Sequence, residues 1–173
     1  MAEVNTLLAD GMGKRSTKDL ARLLAHGDRR VRSEAQFEFE NRPPKNFRLS
    51  GKTNTLGMVG GTTTTLLQIA NHGSNQLARV HAIWALGNIS RKAGIGLSDF
   101  LAFSANDPDP EIRAQVAKQL GASGKTDSAF DALIPLLKDS SPRVQFFAAS
   151  GLARFTWIDK NKGTLPCARF STS

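Results

Sequence analysis

The chain has 173 residues, of which 40% are hydrophobic, and its formal net charge is +8. This hydrophobic fraction is typical of a folded protein and excludes disorder along the whole length. No run of about eighteen apolar residues is present to span a membrane, and the N-terminus lacks the basic-then-apolar pattern of a signal peptide. We therefore expect a chain that stays in the cytoplasm and does not insert into membranes. The single Cys167 excludes an internal disulfide and a Cys-rich zinc site.

The positive charge is concentrated in one part of the chain. Acidic and basic residues balance over 1–40 and nearly balance over 99–173, whereas 41–98 contains no Asp or Glu. The basic residues of that middle stretch are Arg42, Lys45, Arg48, Lys52, Arg79, Arg91 and Lys92. A local excess of this kind could contact phosphates. It makes weak, non-specific nucleic-acid binding through residues 41–98 an alternative function.

The first element is a short segment, residues 1–15. Apolar residues from Val4 to Met12 predict a short helix ahead of Gly13. Ser16 or Thr17 then provides the N-cap of the next helix.

From residue 16 onward, four segments repeat one pattern. They align on Arg32, Arg79, Arg113 and Gln145. Four columns are apolar: Leu20, Leu67, Leu101 and Leu133 twelve positions before the anchor; Val31, Ala78, Ile112 and Val144 one before; Ala35, Ala82, Val116 and Ala148 three after; Phe39, Leu86, Leu120 and Leu152 seven after. The spacing after each anchor is that of a helix, so each segment ends in an amphipathic helix.

The middle of each segment carries a helix start signal. Four positions before the anchors lie residues that cap helix N-termini well: Asp28, Asn75, Asp109 and Ser141. Pro110 and Pro142 follow two of them, at the position where helices accept proline. Each repeat is therefore predicted to be a helix, a short turn and a second helix.

One helix pair cannot bury both of its apolar faces, so neighbouring pairs must stack. We predict an all-α fold, a right-handed α-solenoid of about four helix pairs at 16–42, 62–93, 98–123 and 128–155. The stretch 43–61, rich in Pro, Gly, Asn and Thr, is predicted to be an exposed loop, and 156–173 an irregular tail. With no polar capping helix after Phe155, Phe147 and Leu152 would be partly uncovered, and the chain could self-associate through this end.

Two segments, DPDPEIRAQVAKQLG from Asp107 and the stretch from Asp139 to Phe155, resemble HEAT repeats of the bilin-lyase-like kind. Both have Asp in the turn and a Val/Ile-Arg pair near the start of the second helix. Over Leu7 to Phe155, the chain is also similar to the HEAT block of bacterial membrane-bound dehydrogenase-type proteins. In that family a β-propeller precedes the block and a c-type cytochrome domain follows it. The resemblance implies that this chain is the middle of a larger, periplasmic or membrane-associated protein whose redox chemistry belongs to other domains.

Catalytic and cofactor motifs are missing from the sequence. The Gly-Lys-Thr triplets at 51–53 and 124–126 lack the first glycine of a P-loop, and the three His are scattered among repeats. We therefore expect no enzyme, no cofactor and no metal. An enzyme of HEAT-like fold, such as a bilin lyase or a DNA glycosylase, is the weakest alternative. The arginines at the anchor positions are interpreted as structural, with Asp107 and Asp139 placed to pair with them.

The favoured hypothesis is a scaffold for another protein or for neighbouring domains of a parent polypeptide, because solenoids offer a long concave surface. Phe37 and Phe146 lie off the apolar stripe and are candidate surface anchors. The partner-binding residues predicted on the second helices are Arg30, Glu34, Glu38, Gln76, Gln115, Lys118 and Arg143.

Overall fold

The computed structural model describes residues 2–42, 61–93, 101, 103–123 and 127–159, with the backbone alone at 93, 103, 123 and 156–159. The chain divides into two compact units, Met1–Ile95 and Gly96–Ser173. Within the described ranges every regular element is helical and no strand occurs, which confirms the all-α prediction.

The first unit contains two helix pairs preceded by a short helix. Its helices are α1 (Ala2–Ala9), α2 (Thr17–Leu23), α3 (Arg29–Asn41), α4 (Gly61–His72) and α5 (Gln76–Ala93). Helix α2 packs against α3 and α4 against α5, and the pairs stack through α2 on α4 and α3 on α5. First helices thus meet first helices, and second helices meet second helices, as repeat stacking requires.

The second unit repeats this arrangement. Its elements are a 3₁₀ helix (Phe103–Asn106), α6 (Pro110–Ser123), α7 (Asp127–Leu136) and α8 (Pro142–Asp159). The second helices α6 and α8 pack against each other, and α7 contacts both of them.

Three of the predicted N-caps, Asp28, Asn75 and Asp109, form the hydrogen bonds expected of them. Asp28 Oδ1 accepts from the backbone N–H of Arg30 at 2.8 Å, Asp109 Oδ1 from that of Glu111 at 2.8 Å, and Asn75 Oδ1 from that of Ala78 at 2.9 Å. Each bond satisfies one amide that the helix itself leaves without a partner. The second helices therefore begin where the sequence signals place them.

The apolar columns form the core, with one correction in the first helices. All residues of the columns one before and three after the anchors are buried. In α4, however, Leu66 is fully buried and the predicted core residue Leu67 is only half-buried. The buried leucine of the first helix therefore lies one residue further from the anchor arginine in this repeat than in the others. Leu152 is also half-buried, in agreement with its expected partial exposure.

Two predicted helix boundaries need adjustment, and the choice between two predicted caps of α2 is resolved. Helix α1 covers Ala2–Ala9 rather than Val4 to Met12, because the chain turns at Gly11, whose φ of +70° favours glycine. Ser16 caps α2, since its Oγ accepts from the backbone N–H of Asp19 at 3.1 Å. Residues 156–159 continue α8 and do not belong to an irregular tail. The predicted loop up to residue 60 and the tail beyond residue 159 lie outside the described residues.

Candidate functional site

The anchor arginines hold neighbouring segments together, as their structural interpretation requires. Arg113 Nε and Nη2 donate to the two carboxylate oxygens of Asp139 at 2.7 and 2.8 Å, and Nη1 donates to the carbonyl oxygen of Asp107 at 2.7 Å. The hydrogen bond from Arg113 lowers the pKa of Asp139, and the same bond raises the pKa of Arg113. Asp139 in turn accepts from the backbone N–H of Ser141 at 2.8 Å. This arginine joins helix α6 to the turn before α8.

Arg32 has the same role in the first unit, where its contacts with the turn carbonyls are equivalent but its contact with the next repeat has a different partner. Its Nη1 donates to the carbonyl oxygens of His26 and Gly27 at 2.7 and 2.8 Å, as Arg113 does at the corresponding turn. The position that matches Asp139 is Gly73, which has no carboxylate to offer. Arg32 Nε instead donates to His81 Nε2 at 3.3 Å. The arginine column is thus used for repeat stacking in both units.

Between α3 and α5 lies a chain of polar side chains that the sequence did not lead us to expect. His81, Gln36 and Arg32 are all buried. Because His81 Nε2 accepts from Arg32, its proton is assigned to Nδ1, which donates to Gln36 Oε1 at 2.7 Å. Gln36 Nε2 then donates to Glu40 Oε1 at 2.8 Å. Every step has a donor facing an acceptor when the imidazole is neutral.

The chain of hydrogen bonds ends at the carboxylate of Glu40, whose side chain is only 5% exposed. Asn88 Nδ2 donates to its Oε1 at 2.7 Å, and Lys92 Nζ lies 3.6 Å from its Oε2. Burial, followed by the positive charges of Arg32 and Arg29, lowers the pKa of His81 to about 4. A buried neutral histidine with both nitrogens engaged has no free position for a substrate or a metal. This network therefore stabilises the stack of α3 on α5.

A sequence signal for this network existed. Gln36 and Glu40 are polar residues four apart on α3, on the side of Arg32, and His81 interrupts an apolar run in α5. A polar residue within an apolar run is usually buried with a partner.

The predicted binding residues of the first unit differ in their availability. Arg30 and Glu34 are exposed on α3, and Gln76 is exposed at the start of α5. Glu38 is half-buried and its Oε1 accepts from Arg42 Nε at 2.8 Å, so it holds the end of α3. Phe37, on the same helix, is 50% exposed, as predicted for a surface anchor.

The second unit brings two predicted binding residues and the candidate surface anchor Phe146 together around one aromatic ring. Lys118 Nζ lies 5.7 Å and Arg143 Cζ 5.4 Å from the centroid of the Phe147 ring. Phe146 packs edge-on against Phe147 at 5.4 Å and is itself 64% exposed. We call these four residues, Lys118, Arg143, Phe146 and Phe147, the aromatic–cation cluster.

Gln115 is a correction within the predicted set. It was expected to be exposed, but its side chain is buried, and its Nε2 donates to Glu111 Oε1 at 2.7 Å. Glu111 also pairs with Arg143, whose Nε lies 3.1 Å from Glu111 Oε2. Gln115 therefore lies inside the packed structure and not on an exposed face of α6. It positions Glu111 and does not offer a binding surface.

Two glycines set how closely α6 approaches α8. A Cβ on Gly121 would lie 2.5 Å from the Cα of Gly151, and a Cβ on Gly151 would lie 3.1 Å from the Cα of Gly121. Such distances leave no room for a side chain at Gly121. The close approach brings Lys118 of α6 to the ring of Phe147 on α8.

The basic residues of the middle stretch are largely engaged where the structure describes them. Arg42 donates to Glu38 and to the carbonyl oxygen of Arg15 at 2.6 Å, and Arg79 Nε donates to the carbonyl oxygen of Ala70 at 2.9 Å. Lys92 pairs with Glu40, and Arg91 donates to Asn88. Lys45, Arg48 and Lys52 lie outside the described residues. The described basic residues of this stretch therefore contribute contacts within the fold.

The part of the chain that the structure describes contains neither a metal-binding group of side chains nor a membrane-spanning helix. No group of three or more His, Cys, Asp and Glu side chains is arranged to hold a metal ion there. Among the described helices, none combines the length and the apolar character needed to cross a membrane.

Comparison with known proteins identifies the family. The family model for HEAT repeats matches residues 63–125 and again residues 97–167, which together cover more than half of the chain. A search of curated proteins finds no match. The first helix pair lies before the matched region, but Arg32 binds its turn carbonyls in the same way as Arg113. This chain belongs to the HEAT-repeat family, whose all-α fold is a solenoid of stacked helix pairs.

Proposed function

We propose that this chain is a non-catalytic scaffold that binds another protein, or a neighbouring domain of a longer polypeptide, through the exposed faces of its second helices. The observation that carries the proposal is the aromatic–cation cluster on α6 and α8. Phe146 places a large apolar side chain in water at 64% exposure, next to Phe147, whose ring contacts two cations. Aromatic and arginine side chains are the residues that most often dominate binding energy at protein interfaces.

The first unit by itself carries exposed residues of a similar kind. Phe37 is 50% exposed on α3, with Arg30 and Glu34 exposed on the same helix. Aromatic anchors next to charged residues thus occur on a second helix of each unit. The buried network around His81 supports a non-catalytic role for the conspicuous polar residues, because a substrate could not reach them.

The test compares the chain with a surface variant carrying Glu34→Lys, Phe37→Ser, Lys118→Glu and Phe146→Ser. Proteins captured from an extract of the source organism are purified, and their affinities for both chains are measured by calorimetry. We expect at least one partner that binds the surface variant at least about tenfold more weakly, a loss of about 1.4 kcal/mol. The matched control is Leu137→Ser, which removes an exposed apolar residue in the turn after α7, outside the second helices. Equal affinities of every purified partner for the native and surface-variant chains would show that these exposed helix faces are not binding sites.

The finer context is part of the proposal. The resemblance to the HEAT block of membrane-bound dehydrogenase-type proteins suggests a β-propeller and a c-type cytochrome domain as the neighbouring domains. The coding sequence on either side of this segment tests that context directly. Flanking sequence with neither a propeller nor a C-x-x-C-H motif would leave separate proteins as the partners.

A further inference from the structure

The aromatic–cation cluster has a composition that selects among partners, and this inference rests on the proposed scaffold function. We propose that the cluster binds a segment of another protein in which a carboxylate side chain lies within about three residues of an aromatic or large aliphatic side chain. Three features support this motif: one uncompensated cation, one exposed ring and the distance between them.

Lys118 is the uncompensated cation. It is exposed, and among the described residues it makes no ion pair; its ammonium group lies 5.7 Å from the centroid of the Phe147 ring. Arg143 already pairs with Glu111 at 3.1 Å, and Glu111 also accepts from Gln115. An incoming carboxylate would therefore find its partner at Lys118. The attraction between that carboxylate and Lys118 would be helped by the partly apolar surroundings that the Phe147 ring provides.

Phe146 is the apolar contact. Its ring is held at 5.4 Å from the Phe147 ring, and both residues lie on a helix that is fixed by the fully buried Val144 and Ala148. A ring held in place on a packed helix loses little conformational freedom on binding. An aromatic or aliphatic side chain of the partner can pack on the exposed face of Phe146.

The spacing of the two contacts defines the motif. Lys118 Nζ and the ring of Phe146 both lie close to the ring of Phe147, which places them no more than about 11 Å apart. An extended chain covers that distance in about three residues. The motif is therefore an acidic residue and an apolar residue separated by no more than about three positions.

Two other occupants fit less well. A nucleic acid would bring its phosphates close to the carboxylate of Glu111, which is partly exposed beside Arg143. A second copy of the chain could offer Glu34 and Phe37 from α3, but Arg29 and Arg30 are exposed on the same helix and would face the cations of the cluster. Like charges placed opposite one another oppose association.

The test uses a random peptide library displayed on phage and panned against the full chain. Enriched sequences are then synthesised with a fluorescent label and titrated by anisotropy. We expect enriched peptides to carry Asp or Glu within three positions of an aromatic or large aliphatic residue. Lys118→Glu and Phe146→Ser should each weaken their binding at least about tenfold, while the control Leu137→Ser should not, with circular dichroism confirming that each variant is folded.

Several outcomes would overturn the proposal. They are a failure to enrich any peptide, enriched peptides without acidic residues, and affinities that Lys118→Glu leaves unchanged. Binding of a labelled mixed-sequence oligonucleotide that Lys118→Glu abolishes would assign the cluster to nucleic acid instead. Sedimentation showing a dimer that Lys118→Glu dissociates would assign it to a second copy.

The same experiment separates this inference from the proposed scaffold function. Peptides whose binding depends on Glu34 and Phe37 but not on Lys118 or Phe146 would leave the scaffold function standing and refute the motif. If no variant changed the binding of any peptide or any purified partner, both would fail.

Discussion

Replacing Gly121 by alanine sets two physical effects of opposite sign against each other. In an isolated helix the change is stabilising, because alanine favours the helix by about 1 kcal/mol over glycine. In this protein the new Cβ would lie 2.5 Å from the Cα of Gly151 on the neighbouring helix. The contact is with backbone, so only a shift of α6 away from α8 can relieve it.

The magnitudes decide the sign. Overpacking a well-packed interface costs about 1–3 kcal/mol, and a clash with backbone belongs at the upper end of that range. After the gain in helix propensity, we expect Gly121→Ala to lower the free energy of unfolding by about 2 kcal/mol. Gly151→Ala should cost less, because its Cβ contacts lie at 3.1 Å and one of them is the mobile end of Leu133.

Urea denaturation followed by circular dichroism measures these differences. The matched control is Gly61→Ala at the first position of α4, where a Cβ would meet nothing within 4 Å. Its effect should stay within about 0.5 kcal/mol. A Gly121→Ala variant more stable than the native chain would show that α6 and α8 do not approach as described. Because the aromatic–cation cluster depends on that approach, the variant should also weaken peptide binding.

Three further predictions test the core and the ion pairs by urea titration. The pKa of His81 is about 4 in the fold and about 6.5 in the unfolded chain, so the unfolded state is protonated first as pH falls. Up to about 3 kcal/mol of stability is therefore lost as pH falls from about 6.5 to about 4. A His81→Gln variant that kept the same pH dependence would contradict this. Asp139→Ala leaves Arg113 without its carboxylate partner and should lower the free energy of unfolding by about 3 kcal/mol. Removal of the exposed carboxylate in the control Asp131→Ala should lower it by less than about 0.5 kcal/mol. Equal losses in the two variants would argue against the ion pair. Phe39→Ala should cost about 3–5 kcal/mol and Phe37→Ala far less, because Phe39 is fully buried and Phe37 is half exposed; the reverse order would refute the assigned faces of α3.

The sequence alone determined the helix pairs and their register. Caps such as Asp28 and Asp109, and the proline at position 110, act on the first turn of their own helix, so their effect is readable from neighbouring residues. The columns around the anchors repeat with the helical period because every second helix buries the same face. The first helices are shorter and less regular, which explains why Leu67 was predicted in place of Leu66.

The residues of the proposed binding surface could be predicted only in part from the sequence. Exposure of Phe37 and Phe146 follows from their position off the apolar stripe of a single helix. Burial of Gln115 does not, because it depends on how other elements pack around its helix. The grouping of Lys118 and Arg143 around Phe147 likewise needs two helices placed side by side.

Tertiary structure alone decided the contacts between residues far apart along the chain. His81 meets Gln36, 45 residues earlier, and Gly121 meets Gly151, because stacking brings successive second helices into contact. Composition and period specify that such helices will pack. Which side chains then face each other depends on the rotation and separation of the two helices, and a polar network or a glycine contact forms only when both are fixed.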